Sequence, residues 1–388
     1  MLTTLAIANY RSIRRMVLPL GPLNVVTGAN GSGKSNLYKA LRLLSDTARG
    51  GVISTLAREG GLDSTLWAGP EVLSRRMKSG EVPVQGGPRH DPVNLRLGFC
   101  DEAVGYSIDI GLPIPSSSLF SGDPEIKREC IFAAPSYRPS GLLAERRNAM
   151  SRVRDAAHEW VTLSTSLSSF DSMLSTMADA RLAPEVVRIR DLVTSWRFYD
   201  HFRADAEAPA RHSMVGTRTP VLGPDGRDLA AALETIREIG DAPALAEAVD
   251  DAFPGASVRV RGSEGGHLAL EFTQPGLLRP LSAAELSDGT LRYLLWVAAL
   301  LTPRPPSLMV LNEPETSLHP DLLPALGRLI IRASRGAQVW VVSHASRLVA
   351  ALKEAETCQF LQLDKELGES VIQGLGSLDE PPWKWPER

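Results

Sequence analysis

The amino-acid sequence predicts an α/β protein with a mixed sheet, an antiparallel β subdomain and a helical insertion. Three observations support this fold class. A glycine-rich stretch at residues 28–35 follows an apolar run and precedes a helical pattern. Three alternating runs between residues 94 and 134 are typical of antiparallel strands. After Pro280, apolar strands alternate with helical segments, which is typical of a parallel sheet with helices on both faces.

The first third of the chain is predicted to contain strands and one long loop region. Strands are expected at residues 2–8 and 23–27, flanking a turn at Gly21-Pro22. Residues 50–92 are rich in Gly, Pro and Ser and are predicted to be mainly loops, as are residues 113–118. The antiparallel strands are expected at residues 94–100, 104–112 and 129–134.

The middle of the chain is predicted to be helical. From Ser140 to about His201 the apolar spacing favours helices, with a break near Ala183-Pro184. Residues 204–228 contain Pro, Gly and few aliphatic side chains, which indicates a linker. The expected domains are an N-terminal lobe at residues 1–137, a helical insertion or lid at 138–215 and a C-terminal lobe at 216–388.

The remaining elements follow from apolar periodicity. Helices are expected at residues 229–239, 244–253, 291–301, 321–333 and 345–353. Strands are expected at residues 258–261 and 268–272, which would form a hairpin, and at 307–311 and 338–342, which would be buried.

Composition narrows the class of protein. The chain has 388 residues, of which 43 % are hydrophobic. It contains no run of 18 apolar residues, so no membrane span is predicted. The N-terminus lacks a basic region and a cleavage site, and the three cysteines are isolated, so we expect a cytoplasmic protein without a zinc site. Because the net charge is −3, binding to nucleic acid would require a local basic patch.

The stretch Gly28–Ser35 matches the phosphate-loop pattern G-x-x-x-x-G-K-[ST] in its strand–loop–helix context. Backbone N–H groups and the helix N-terminus would bind phosphates, Lys34 would reach the β- and γ-phosphates of ATP, and Ser35 would be a ligand of Mg²⁺. A chance glycine-rich turn is disfavoured because partner motifs follow in the right order. The expected nucleotide-binding residues of this region are Asn30, Gly31, Ser32, Gly33, Lys34, Ser35 and Asn36.

A second motif ends the buried strand at residues 307–311. Asn312 and Glu313 follow it, in the form of a Walker B strand. Glu313 is the candidate general base that would activate the attacking water, with Lys34 as its partner in catalysis. Asn312 is a candidate metal-site residue, but it replaces the usual aspartate and brings no charge. We therefore expect weak Mg²⁺ binding and slow turnover, with an inactive ATPase as the alternative.

Two further polar positions follow the same logic. Ser287 and Gly289 open the helix predicted at 291–301, where a hydroxyl and backbone N–H groups could bind an anion, although a simple helix cap is the alternative. His344 follows the strand at 338–342 and is placed to hydrogen-bond the γ-phosphate. His319 is interpreted as a helix-entry residue.

Together these motifs resemble ABC-type ATPases of the RecF/SMC group, in the compact bacterial branch of AAA family ATPases that are RecF-like and lack a long coiled coil. The resemblance covers the two ends of the chain and rests on residues 9–13, 28–36, 286–292, 311–320 and 343–344. It implies a P-loop ABC-type ATPase head that hydrolyses ATP to ADP and phosphate. It also implies that Arg11 lies near the nucleotide phosphates. Such heads form a homodimer around two ATP molecules, each held by one subunit's phosphate loop and the other's Ser287 segment.

The same resemblance indicates a dimeric, ATP-gated switch in DNA double-strand-break repair or DNA-end handling. The alternatives are a regulatory ATPase that controls a protein effector in an anti-phage or toxin system, and a nucleotide-gated scaffold with negligible turnover. DNA contact could come from an arginine-rich segment, although a solvated helix face is the favoured interpretation; its residues are Arg138, Arg146, Arg147, Arg152 and Arg154. The aromatic residues at 196–202 and the C-terminal Trp383 and Trp385 are expected mainly to pack.

Overall fold

The computed structural model describes residues 1–70, 74–79, 81–83, 94–114, 117–177, 179–376 and 378–387. The strands are β1 (Leu2–Tyr10), β2 (Ile13–Pro19), β3 (Leu23–Gly28), β4 (Leu95–Asp101), β5 (Val104–Gly111), β6 (Glu125–Ala133), β7 (Leu142–Arg147), β8 (Met150–Arg154), β9 (Trp160–Ser164), β10 (Arg197–Tyr199), β11 (Met214–Val215), β12 (Ser257–Gly262), β13 (His267–Thr273), β14 (Leu281–Ser282), β15 (Leu308–Asn312), β16 (Gln338–Val342), β17 (Cys358–Glu366) and β18 (Glu369–Ile372).

The helices are α1 (Lys34–Ala48), α2 (Val52–Arg58), α3 (Leu62–Thr65), α4 (Arg75–Lys78), α5 (Met173–Thr176), α6 (Pro184–Thr194), α7 (Leu229–Ile239), α8 (Ala242–Ala252), α9 (Asp288–Leu300), α10 (Leu323–Ala333) and α11 (Ser346–Lys353). Among the helices of the described ranges, none is both long and apolar enough to cross a membrane.

The chain divides into two compact units. Unit 1 contains residues 1–21, 27–196 and 361–388, and unit 2 contains residues 22–26 and 197–360. The predicted insertion at residues 138–215 is distributed over both units, and its role as a lid stays a prediction.

Unit 1 is built on an eight-stranded antiparallel sheet with the order β2-β1-β4-β5-β6-β7-β8-β9. The predicted antiparallel strands are confirmed as β4, β5 and β6. Strand β2 was not predicted, and the region expected to be mainly loops contains α2 and the short helices α3 and α4. Residues 71–73, 80 and 84–92 of that region, and residues 115–116 of the loop predicted at 113–118, lie outside the described residues.

The helical prediction for residues 140–201 is wrong over β7, β8, β9 and β10. The charged residues of β7 and β8 pair across strands, and in the sequence their polar pattern resembles that of a helix face. Glu145 on β7 is buried and contacts Arg128 on β6 and Arg152 on β8. The prediction holds for α6. The predicted break near Ala183-Pro184 is the start of this helix, since proline is favoured in the first turn of a helix.

Unit 2 contains a parallel sheet with the order β10-β15-β16-β3, which confirms the predicted parallel arrangement. Helices α7 and α9–α11 and the hairpin β12–β13 match their predicted positions to within a few residues, as does α8. Helix α9 contacts α7, α8 and α10 and buries Leu291 through Leu300, so it is the central helix of the unit 2 core. The predicted linker at 204–228 is mostly irregular.

Candidate functional site

The phosphate loop joins β3 to α1 through backbone that only glycine adopts easily. Gly28, Gly31 and Gly33 have φ values of 150°, 81° and 109°. A Cβ atom on Gly33 would lie 2.1 Å from Ser370 Oγ, and one on Gly28 would lie 2.5 Å from the Leu363 carbonyl oxygen. Glycine is therefore required at both positions, because the β17–β18 hairpin packs directly against the loop.

Lys34 and Ser35 stand at the first turn of α1, as the sequence predicts. The Lys34 ammonium donates hydrogen bonds to the carbonyl oxygens of Gly28 (2.6 Å) and Ala29 (3.1 Å), so its side chain spans the loop. Ser35 is exposed, and Gly31 has open space around it. Within the described part of the chain, Ser32 Oγ is buried without a hydrogen-bond partner. These donors, with the unpaired amides of a helix N-terminus, fit a nucleotide phosphate.

A chain of hydroxyl groups supports the loop. Asn36 Nδ2 donates to Ser12 Oγ, and Ser12 Oγ hydrogen-bonds Ser370 Oγ, both at 2.7 Å. Ser370 Oγ donates to the Ser32 carbonyl oxygen at 2.7 Å, and the Ser370 N–H donates to the Ser12 carbonyl oxygen at 2.7 Å. Ser370 is buried and comes from β18 near the C-terminus. This contact was missed in the sequence, where a lone serine in a strand carries no signal.

Arg11 lies beside this network but is paired with a carboxylate. Its guanidinium contacts Glu59 Oε2 at 2.7 Å, and the Tyr10 hydroxyl donates to the same oxygen at 2.8 Å. Burial alone would raise the pKa of Glu59, but hydrogen bonds from Arg11 and Tyr10 outweigh it and lower that pKa. Lys39 lies 3.6 Å from Glu59 Oε1. The predicted approach of Arg11 to nucleotide phosphates stays a prediction.

The Walker B and histidine positions come together in unit 2. Strands β15 and β16 are parallel neighbours, so Asn312-Glu313 and Ser343-His344 emerge at the same edge of the sheet. Glu313 has a left-handed φ of 50°, and its N–H donates to the Val342 carbonyl oxygen at 2.8 Å. His344 Nδ1 lies 3.7 Å from Glu313 Oε1, and both side chains are partly exposed. A carboxylate and an imidazole in this position can move a proton to or from a bound water.

Glu315 is a site residue that the sequence reasoning missed. Its carboxylate is buried, and Oε1 accepts hydrogen bonds from Ser343 Oγ (2.8 Å), the His344 N–H (2.9 Å) and the Ala345 N–H (3.1 Å). The same oxygen lies 3.4 Å from His344 Nδ1. Glu315 therefore fixes the backbone that presents His344. The available signal was a second glutamate two residues after Glu313 in the same short loop.

The signature segment, defined here as residues 283–289, leads into α9. Ser287 caps this helix, because its Oγ accepts from the Thr290 N–H at 3.1 Å. Gly289 lies close to the following loop, since a Cβ there would be 3.4 Å from the Ser317 carbonyl oxygen. The cap is thus present, and its proposed contact with phosphate stays a prediction.

One buried arginine binds this segment, and a second one anchors the helix that follows it. Arg292 on α9 donates to the carbonyl oxygens of Phe202 (3.0 Å) and Thr316 (3.2 Å). Arg211, from the predicted linker, donates to the Leu286 carbonyl oxygen at 2.7 Å. The structural roles of both arginines were missed in the sequence, because an arginine in a linker or a helix is normally predicted to be exposed to solvent.

The arginine-rich segment does not form a helix face. Arg146 is fully buried and pairs with Glu129, so it cannot reach DNA. The Arg152 and Arg154 guanidiniums lie 4.3 and 4.2 Å from the Trp160 ring centroid. Of the five arginines, only Arg138 and Arg147 are exposed.

The aromatic predictions are confirmed as packing. Trp196 is buried in unit 1, and Tyr199 and Phe202 are buried in the unit 2 core. Trp383 packs against Phe132 with ring centroids 5.9 Å apart, so the C-terminal tail docks on the core of unit 1.

Comparisons with known proteins agree with this geometry. A family model described as "AAA domain, putative AbiEii toxin, Type IV TA system" matches residues 23–350. The DNA replication and repair proteins RecF of Brucella abortus (strain 2308) and Brucella suis biovar 1 are each 29 % identical over 136 residues, which covers 32 % of this chain. The chain matches only 34 % of the length of these curated relatives.

Solved structures resemble the whole chain. An Smc head bound to the C-winged helix domain of ScpA is 14 % identical, with a TM-score of 0.51, and the match covers 97 % of this chain and 98 % of that chain. The SMC head domain from Thermotoga maritima is also 14 % identical, with a TM-score of 0.46 over 97 % of this chain and 99 % of that one. The first of these likenesses shows the fold. The chain belongs to the AAA domain family whose model matches it, and it is similar to proteins of the RecF/SMC group in sequence and in fold.

Proposed function

We propose that this protein is an ATP-gated dimeric switch that binds Mg-ATP and hydrolyses it slowly. One observation carries the proposal: Glu313 and His344 emerge at one edge of a parallel sheet whose neighbouring strand β3 runs into the phosphate loop. A phosphate-binding loop and an acid–base pair at the ends of adjacent strands suit phosphoryl transfer to water.

Each residue has a distinct proposed role. Lys34 exchanges its two carbonyl contacts for β- and γ-phosphate oxygens, while the loop amides and Asn30–Ser32 enclose the phosphates. Ser35 and Asn312 would hold Mg²⁺, which would neutralise phosphate charge when bound. Glu313 accepts the proton of the attacking water, and His344 donates to the γ-phosphate. The neutral Asn312 lowers the charge available to a metal, so we expect slow turnover.

Dimerisation completes the proposed site. Ser287 and Gly289 of one subunit would bind the γ-phosphate held by the other subunit, and Arg11 would approach the phosphates after leaving Glu59. The similarity to RecF proteins, which are named for DNA replication and repair, supports a role in double-strand-break repair or DNA-end handling. The similar Smc head was solved bound to a domain of ScpA, which supports the proposal of a protein partner for this chain. We place this activity in the cytoplasm.

The test is phosphate release by the purified chain with Mg²⁺, with and without linear double-stranded DNA. We expect slow release that DNA stimulates and that Lys34→Ala abolishes. Salt-sensitive DNA binding that requires ATP would support DNA handling. ATP binding without release in either condition would contradict the hydrolytic switch.

Two alternatives have observations in their favour. The family description names a toxin system, which favours a regulatory ATPase that restrains an effector protein. An effector that co-purifies with the chain and is released by ATP, in the absence of any DNA effect, would support it. Asn312 favours a nucleotide-gated scaffold with negligible turnover. Under that alternative, Glu313→Gln would change neither nucleotide binding nor dimer lifetime.

A further inference from the structure

Arg211 is a buried arginine that binds the signature segment. It ends a short turn between β10 and α7, and its side chain is 6 % exposed. Arginine has five N–H donors in a fixed fork, and here they meet two stretches of backbone. Its acceptors are the carbonyl oxygens of Ala204 (2.7 Å), Asp205 (2.9 Å), Ala283 (3.0 Å), Ala284 (3.3 Å) and Leu286 (2.7 Å), and the Asp288 carboxylate (2.7 Å).

Asp288 creates an electrostatic problem for an anion site. It is the first residue of α9 and directly follows Ser287, and its side chain is 59 % exposed. A carboxylate at a helix N-terminus stabilises the helix, but it repels a phosphate that approaches the same N–H groups. The Arg211 guanidinium lies 2.7 Å from this carboxylate and cancels its charge. The helix N-terminus can then keep its attraction for a second anion.

We propose that Arg211 is a positioning residue for the ATP-closed dimer: it fixes the signature segment and neutralises Asp288, so that Ser287 can bind the γ-phosphate held by the partner subunit. This inference rests on the proposed function, because it assigns Arg211 to the trans half of the site. It predicts a specific pattern: loss of Arg211 weakens dimer closure while leaving the binding of ATP to the phosphate loop of a single subunit intact.

The experiment measures ATP-dependent dimerisation by sedimentation, in chains that carry Glu313→Gln to prevent turnover. Arg211→Gln is expected to raise the dimer dissociation constant about tenfold or more, since it leaves the Asp288 charge without its cation and removes the charged donor to the Ala283 and Leu286 carbonyl oxygens. Binding of ATP to dilute monomer should change by less than about twofold, because the phosphate loop does not use Arg211. Asp288→Asn added to Arg211→Gln should recover part of the lost dimerisation, because it removes the uncompensated charge.

A matched control is an arginine outside the signature segment that pairs with a residue inside it. Arg279 pairs with Glu285 through two hydrogen bonds, but its side chain is 68 % exposed, so Arg279→Gln should leave dimerisation unchanged. Unchanged dimerisation of Arg211→Gln would overturn the inference, as would a double variant no better than Arg211→Gln alone. If the chain with Glu313→Gln alone forms no dimer with ATP, the proposed function fails and the inference fails with it.

Discussion

The phosphate loop and the signature segment are held in place by different physical means. Apart from its own Lys34, the loop is shaped by glycines and by neutral hydroxyl and amide groups, namely Ser12, Asn36 and Ser370. The signature segment is held by the buried cation Arg211. A neutral network depends mainly on shape, whereas a buried charge is tolerated only while its partners are in place. Shape changes should therefore damage the loop most, and charge changes should damage the signature segment most.

The largest expected effect is a shape change in the loop. Gly33→Ala places a Cβ 2.1 Å from Ser370 Oγ at a φ of 109°, so the loop must move. We expect ATP affinity, measured by calorimetry, to fall about 100-fold or more. Gly31→Ala is the matched control, because Gly31 also has a positive φ but nothing lies within 4 Å of its Cβ position. Equal losses of ATP affinity in the two variants would show that backbone strain, and not the contact with β18, causes the loss.

A charge change beside His344 is expected to come next. Glu315→Ala removes the acceptor of the Ser343 hydroxyl and of the His344 and Ala345 N–H groups, and the Ala345 N–H keeps only Ser343 Oγ. The free energy of unfolding should fall by about 3 kcal/mol, and kcat should fall about tenfold while ATP affinity is kept. Glu315→Gln keeps an acceptor oxygen at this position and should lose less stability. If both variants unfold at the parent's temperature in a thermal melt, Glu315 does not hold the His344 loop.

A smaller effect is expected from a neutral group under the loop. Ser370→Ala removes the hydrogen bonds to Ser12 Oγ and to the Ser32 carbonyl oxygen, but leaves no charge unpaired. We expect ATP affinity to fall about fivefold, since a neutral hydrogen bond contributes about 1 kcal/mol. Ser370→Thr keeps a hydroxyl group at this position and serves as the control. A loss as large as that of Gly33→Ala would contradict the comparison.

The smallest effect should be a gain. Asn312→Asp restores a carboxylate at the end of β15 and should raise the rate of phosphate release about threefold at low Mg²⁺. The rate of phosphate release should be measured as a function of Mg²⁺ concentration. A chain that carries both Lys34→Ala and Asn312→Asp gives the background rate. A rate that does not change at any Mg²⁺ concentration would remove Asn312 from the metal site.

Local patterns in the sequence predicted much of this fold. The phosphate loop, the strands around Asn312 and His344, and helices α7 to α11 each carry their signal within a short window. The prediction failed at β7 to β9, where charged residues of β7 and β8 pair with residues on neighbouring strands. At that spacing a polar strand and a polar helix face are hard to tell apart without knowing the partner.

The supports of the site could not be predicted, because their partners are distant in sequence. Ser12 and Ser370 are 358 positions apart, and Arg211 and Asp288 are 77 apart. An isolated serine or arginine has no periodicity and no motif that would reveal such a contact. The chemistry of the site was therefore readable in short motifs, whereas the residues that hold those motifs in place required the fold.

The most direct test of the switch is the mass of the Glu313→Gln chain in solution, measured by sedimentation with Mg²⁺ and ATP and again without nucleotide. We predict a dimer with ATP and a monomer without it, and a Lys34→Ala, Glu313→Gln chain that stays monomeric in both. A chain that binds ATP at the phosphate loop and remains a monomer at every protein concentration would contradict the ATP-gated dimer.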